Sequence, residues 1–66
     1  MHLNVNGEDW TLEKPVTIAE FLALHKLDAK RLVVEHNGAI VARDRYADLL
    51  LQSGDEIEIV QMMAGG

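Results

Sequence analysis

Apolar and polar residues alternate at the start of the chain. Leu3 and Val5 lie between His2, Asn4 and Asn6, which is the period of a half-buried strand. Asn6-Gly7 followed by Glu8-Asp9 is a hairpin turn signal, and Trp10 and Leu12 share one face of the returning strand. Pro15 stops that strand, because it has no N–H to give to a ladder. The period then changes. Thr17-Ile18-Ala19-Glu20 has the form of a capping box, with Val16 and Phe21 at the staple positions. Ile18, Phe21, Leu22, Leu24 and Leu27 recur at helical spacing, which predicts one helix over residues 18–27.

The second half returns to strand patterning. Leu32-Val33-Val34-Glu35-His36 reads as a strand, Asn37-Gly38 as a second hairpin turn, and Ala39-Ile40-Val41-Ala42 as a short return. Arg43-Asp44-Arg45-Tyr46 breaks the pattern, Ala47–Leu51 suits one helical turn, and Ser53-Gly54-Asp55 a loop. Glu56-Ile57-Glu58-Ile59-Val60 alternates again, in a strand expected to run to about Met62. Met63-Ala64-Gly65-Gly66 has no pattern and is expected to be a flexible tail. The order β-β-α-β-β-short helix-β leaves one helix to cover one face of a mixed sheet. This is the α+β, ubiquitin-like β-grasp architecture: a single domain over residues 1–62 and a tail over 63–66. Its core is expected to hold Leu3, Val5, Phe21, Leu22, Val33 or its neighbour Val34, Ile57 and Ile59.

Composition narrows the function. A chain of 66 residues buries only about 60% of the surface its unfolded form exposes, too little to wall a deep enzyme pocket. A binding module or carrier is the expectation. The chain has no Cys, which excludes a disulfide framework, a thiolate zinc site and a Cys nucleophile, and fits a cytoplasmic protein. No apolar run suits a membrane span, and the first residues lack the basic and apolar regions of a signal peptide. The net charge of −5 argues against nucleic acid, which needs a basic face, and for a basic protein partner.

Most chemistry-bearing residues have plain readings. His2, His25 and His36 lack metal-ligand spacing and read as surface residues, His25 bordering the apolar stripe of the helix and expected to be partly buried. Glu56 and Glu58 alternate with Ile57 and Ile59, which puts them on a solvated sheet face that cannot separate two carboxylate pKa values. No catalytic residue or bound metal is expected.

The C-terminus differs. Gly65 and Gly66 carry no side chains and adopt a wide range of φ/ψ, so such a tail can thread a narrow channel in another protein. Extended, residues 63–66 reach at most about 13 Å beyond the last strand, at ~3.3 Å per residue. The terminal carboxylate is a poor electrophile until activated. Adenylation by ATP would make a mixed anhydride that a sulfur donor, amine or thiol could attack.

These segments resemble the ThiS family of sulfur carriers. The match runs through Val5-Asn6-Gly7-Glu8, Thr17–Leu22, Val34–Val41, Gly54-Asp55-Glu56-Ile57 and Ala64-Gly65-Gly66. Its most specific part is Asn37-Gly38-x-Ile40-Val41-x-Arg43-x-x-Tyr46, where family members usually carry Pro at the position of Ala42 and Trp at that of Tyr46. The resemblance implies a carrier that binds no cofactor itself. A ThiF-like adenylyltransferase would use ATP to adenylate Gly66, sulfur transfer would make a thiocarboxylate, and a ThiG-like thiazole synthase would use that sulfur to build the thiazole of thiamin. The protein is then a co-substrate, monomeric when free. Two other carriers share the end and the fold: the molybdopterin-synthase small subunit, which tends to be longer with prolines before its glycines, and a ubiquitin-like modifier that joins Lys on targets. A plain interaction domain with an idle tail is the remaining reading. Where Ile57 and Ile59 face the core, Val60 and Met62 are expected to face outward and to dock both enzymes, Met repacking to suit each.

Overall fold

The computed structural model describes residues 1–62. The expected β-grasp architecture is present, built on a five-stranded mixed sheet. Strands β1 (His2–Val5) and β2 (Glu8–Thr11) form the opening hairpin. Helix α1 (Ile18–Leu24) follows, then β3 (Leu32–His36), β4 (Ala39–Ile40) and β5 (Glu56–Gln61). The strand order is β2-β1-β5-β3-β4, so β5 lies at the centre, parallel to β1 and antiparallel to β3.

Both hairpins turn on Asn-Gly. Asn6 and Gly7 have φ of 51° and 84°, and Asn37 and Gly38 have 50° and 88°. Positive φ at both central residues is the requirement of the type I′ turn, whose twist matches that of the strands. The register follows, with Val5 opposite Glu8 and His36 opposite Ala39.

Helix α1 starts where the capping box places it. The Thr17 hydroxyl accepts the Glu20 N–H at 3.1 Å, and the Glu20 carboxylate accepts the Thr17 N–H at 2.8 Å. The Glu20 carboxyl sits below its ordinary range because the Thr17 backbone N–H and then the Thr17 hydroxyl hydrogen-bond to its charged form. The helix ends at Leu24, one turn short of the expected residue 27. Lys26 turns left-handed with φ of 56°, its N–H donates to the Ala23 carbonyl, and the Leu27 N–H donates to that of Leu22. That pairing is a Schellman closure, with Lys26 at the position glycine usually fills. Leu24 is therefore 63% exposed rather than part of the buried stripe.

A second departure concerns residues 47–51. The short 3₁₀ turn falls at Arg43–Arg45, turn structure continues through Asp48 with the Leu49 N–H donating to the Arg45 carbonyl, and only Leu49–Leu51 run extended. The Ile18 N–H donates to the Leu49 carbonyl and the Leu51 N–H to that of Val16, which holds Leu49–Leu51 along the start of α1. This pairing buries Leu51 and leaves Leu50 exposed.

The core lies between the sheet and α1. Leu3, Val5, Val34 and Ile57 meet Ile18, Phe21 and Leu22, with Val16, Leu32, Tyr46 and Leu51 closing the ends. Of the valine pair, Val34 is buried and Val33 faces away, while Ile59 is only partly buried. Trp10 covers one side of the core, its ring 5.6 Å from that of Phe21. The His25 ring lies 4.6 Å from both, edge-on to Trp10 and tilted against Phe21, although the residue as a whole remains exposed. No helix among the described residues is long and apolar enough to cross a membrane.

Candidate functional site

The expected sulfur-bearing residue Gly66, with Gly65 and Ala64, lies outside the described residues. The site can be built up to the point where the chain leaves β5. The last described link is the Met62 N–H, which donates to the Arg31 carbonyl at 2.7 Å.

Strand β5 is held by more than its ladder partners. Asn6 carries the β1 pairing one step beyond the strand. Its amide oxygen accepts the Ile59 N–H at 2.8 Å and its amide nitrogen donates to the Ile59 carbonyl at 3.3 Å. The side chain thus stands in for a peptide group after β1 has turned away. Asn37 makes a related pairing at the other end of β5, where its amide oxygen accepts the Glu56 N–H at 2.8 Å and its backbone N–H donates to the Glu56 carbonyl at 2.8 Å. The two turn asparagines grip the strand that leads to the C-terminus.

Asp55 anchors the start of β5. Its carboxylate accepts the Gln52 N–H at 2.9 Å, lies 2.8 Å from His36 Nε2, and accepts from the Asn37 amide at 3.3 Å. Burial alone would raise the Asp55 pKa. The Gln52 N–H, His36 and Asn37 outweigh it and hold the carboxyl below its ordinary value. This cluster ties the β3–β4 turn to the loop before β5. It lies at the opposite end of the strand from the C-terminus, so its role is structural.

The sheet face away from α1 is uncovered. Along β5 it presents Glu56, Glu58, Val60 and Met62, since Ile57 faces the core. Val60 and Met62 are 58% and 52% exposed, as their spacing predicts. Register adds residues that the sequence reading did not include. Val33 lies opposite Val60, Glu35 opposite Glu58, and Ile40 opposite Glu35, so all share this face. Ile40 is 72% exposed. The signal for Ile40 was present in the Asn37-Gly38 turn, which fixes the β3–β4 register.

The comparisons with known proteins agree with this geometry. The ThiS family model matches residues 3–66. The sulfur carrier protein ThiS of Bacillus subtilis is 38% identical over 65 residues, covering 97% of this chain and 98% of that protein. A thiazole synthase of Paramagnetospirillum magneticum is 33% identical over all 66 residues, though the chain spans only 20% of that enzyme's length. The crystal structure of the thiamine biosynthesis protein ThiS from Geobacter metallireducens superposes with a TM-score of 0.87 at 30% identity, each chain covered in full. A family match running from the first strand through Gly66, on a sheet of this order, shows that the chain belongs to the ThiS family of ubiquitin-like sulfur carriers.

Proposed function

We propose that this sulfur carrier holds its sulfur as a thiocarboxylate on Gly66. A ThiF-like enzyme supplies ATP, and the Gly66 carboxylate attacks its α-phosphate, releasing pyrophosphate and forming an acyl adenylate. A sulfur nucleophile then attacks the acyl carbon and AMP leaves. A ThiG-like thiazole synthase takes the sulfur for the thiazole ring of thiamin. The carrier is a co-substrate and not a catalyst, binds no cofactor of its own, and acts as a cytoplasmic monomer.

The observation that carries this reading is the family match through Gly66 on a chain without Cys. Sulfur must then ride on something other than a thiol, and an activated C-terminal acyl group is chemically able to hold it. The exposed Val60 and Met62 support docking beside the tail, with Ala64, Gly65 and Gly66 entering the enzymes' active sites. Intact mass after incubation with the cognate ThiF-like enzyme, ATP and a sulfur source tests the reading. The expected product has one oxygen replaced by sulfur, and deletion of Gly66 abolishes it. Isopeptide adducts would instead mark a protein modifier, and an unchanged mass would overturn the proposal.

A further inference from the structure

Apolar surface is also left open on the helix side of the molecule. A groove of about 420 Å³ lies between α1 and the 3₁₀ turn at Arg43–Arg45. Ala23, Leu27 and Ala29 line it from the helix and the stretch after it, and Tyr46 and Ala47 from the segment after the turn. The small alanine side chains leave it unfilled. Arg43 and Asp44 supply its charges. Neither has an ion-pair partner among the described residues, where the pairs are His2–Asp9, Arg31–Asp28, His36–Asp55 and Arg45–Asp48.

The groove starts beside the point where β5 ends. Ala29 opens a second 3₁₀ turn, Ala29–Arg31, and the Arg31 carbonyl accepts the Met62 N–H at 2.7 Å. From Arg31 back to Ala29 is about 4 Å along that turn, at ~2.0 Å per residue. Arg43 lies toward the same end of the sheet. Ile40 pairs with Glu35, and the Val41 N–H donates to the Val34 carbonyl, so the chain after β4 heads back toward the start of β3, where Gln61 lies opposite Leu32. The residues beyond Met62 are Met63-Ala64-Gly65-Gly66, which span up to about 13 Å at ~3.3 Å per residue. They bring one large apolar side chain, three small residues and a terminal carboxylate that is ionised at neutral pH. The groove offers the complement, an apolar wall and an unpaired guanidinium, within that reach.

We propose that the C-terminal tail, when no enzyme holds it, folds back into this groove, with Met63 against Leu27 and Ala29 and the Gly66 carboxylate on Arg43. Asp44 opposes the carboxylate, which keeps the closure weak enough for an enzyme to reverse. The closure rests on the carrier reading above for its meaning: the acyl end is withdrawn between enzymes, and each enzyme must draw it out.

Solution NMR of the full-length chain alone tests it. Wild type is expected to show nuclear Overhauser contacts from the Met63 methyl to the methyls of Leu27 and Ala29, at an intensity independent of protein concentration. Ala23 is an exposed helix position, so Ala23→Leu fills the groove without entering the core. Ala23→Leu and Arg43→Gln should each remove the contacts with the melting temperature unchanged. Absence of the contacts in wild type, or their survival in both variants, would overturn the proposal. Contacts that appear only as the concentration rises would place a neighbour's tail in the groove and overturn it as well. The mass assay adds the functional readout. With a limiting ThiF-like enzyme and the carrier well below saturation, both variants should form thiocarboxylate faster than wild type. The gain is about twofold if half of the tails are closed and about tenfold if nine in ten are, because a competent state populated in part lowers apparent affinity by that fraction. Equal or slower conversion would overturn the closure as a control on the carrier. The methyl contacts are read without any enzyme, so a tail that closes while no form of the chain gains sulfur sinks the carrier reading and leaves the closure standing.

Discussion

At the scale of single residues, Asn6 and Asp55 do most to position β5, the last described strand. Asn6 combines two properties that few residues share, tolerance of positive φ and an amide able to mimic a peptide group. Asn6→Ala should cost about 2–3 kcal/mol, from roughly 1–2 for the left-handed backbone and about 1 for the lost hydrogen bonds. Urea denaturation measures the loss, and hydrogen exchange should show the Ile59 amide losing protection before the rest of β5. Asp55 sets a pH dependence. Its folded pKa is depressed, so its contribution is complete at neutral pH and is lost as the pH falls through and below the ordinary aspartate value of about 4. Asp55→Asn should therefore be about 1.5–3 kcal/mol less stable than wild type at pH 7, the usual range for a hydrogen bond to a charged group. The two stability curves should converge in acid. Parallel curves down to pH 2 would show that the Asp55 charge carries no stability.

At the scale of elements, the strands and the helix start were legible because each is announced locally. Asn-Gly fixes both hairpins, and Thr17 with Glu20 fixes the start of α1. The end of α1 was not legible, because the chain reverses at Lys26 without the glycine that normally marks such a closure. Nor was the extended path of Leu49–Leu51, whose partners Val16 and Ile18 lie more than thirty residues away in sequence. The candidate site divides in the same way. Alternation along β5 alone exposes Val60 and Met62, whereas Val33, Glu35 and Ile40 join them only through the register of three strands. The Lys26 closure gives a direct test. Lys26→Gly removes a backbone cost of roughly 1–2 kcal/mol and adds about 0.5–1 of unfolded-chain entropy, for a net gain of about 0.5–1 kcal/mol. The urea midpoint should rise with its slope unchanged. A fall would mean that the lysine side chain supports the turn in a way its backbone geometry does not explain.

At the scale of the whole molecule, one small core supports the face proposed for docking, and the two can be separated. Among the described residues eleven form the buried hydrophobic core, Phe21 among them at 1% exposed. Phe21→Ala removes about 3–5 kcal/mol by the usual cost of truncating a buried Phe. Domains in general hold only about 5–15 kcal/mol, and one this small sits toward the low end. Phe21→Ala should therefore lose most of its cooperative melting, and with it both docking and conversion. Val60 lies on the other face of the same sheet and is 58% exposed, so Val60→Asp removes little buried surface. Its melting curve should stay close to that of wild type. Binding to both enzymes should nevertheless weaken by tenfold or more, since an aspartate there replaces an apolar contact and adds a charge that the partner must desolvate. Circular dichroism melting and calorimetry on the two variants measure the separation. If Val60→Asp melts like wild type and binds both enzymes as tightly, docking does not use this end of the sheet, and the partners must grip the carrier elsewhere. If it unfolds instead, Val60 belongs to the fold more than its exposure allows, and Met62→Asp becomes the variant that decides the docking face.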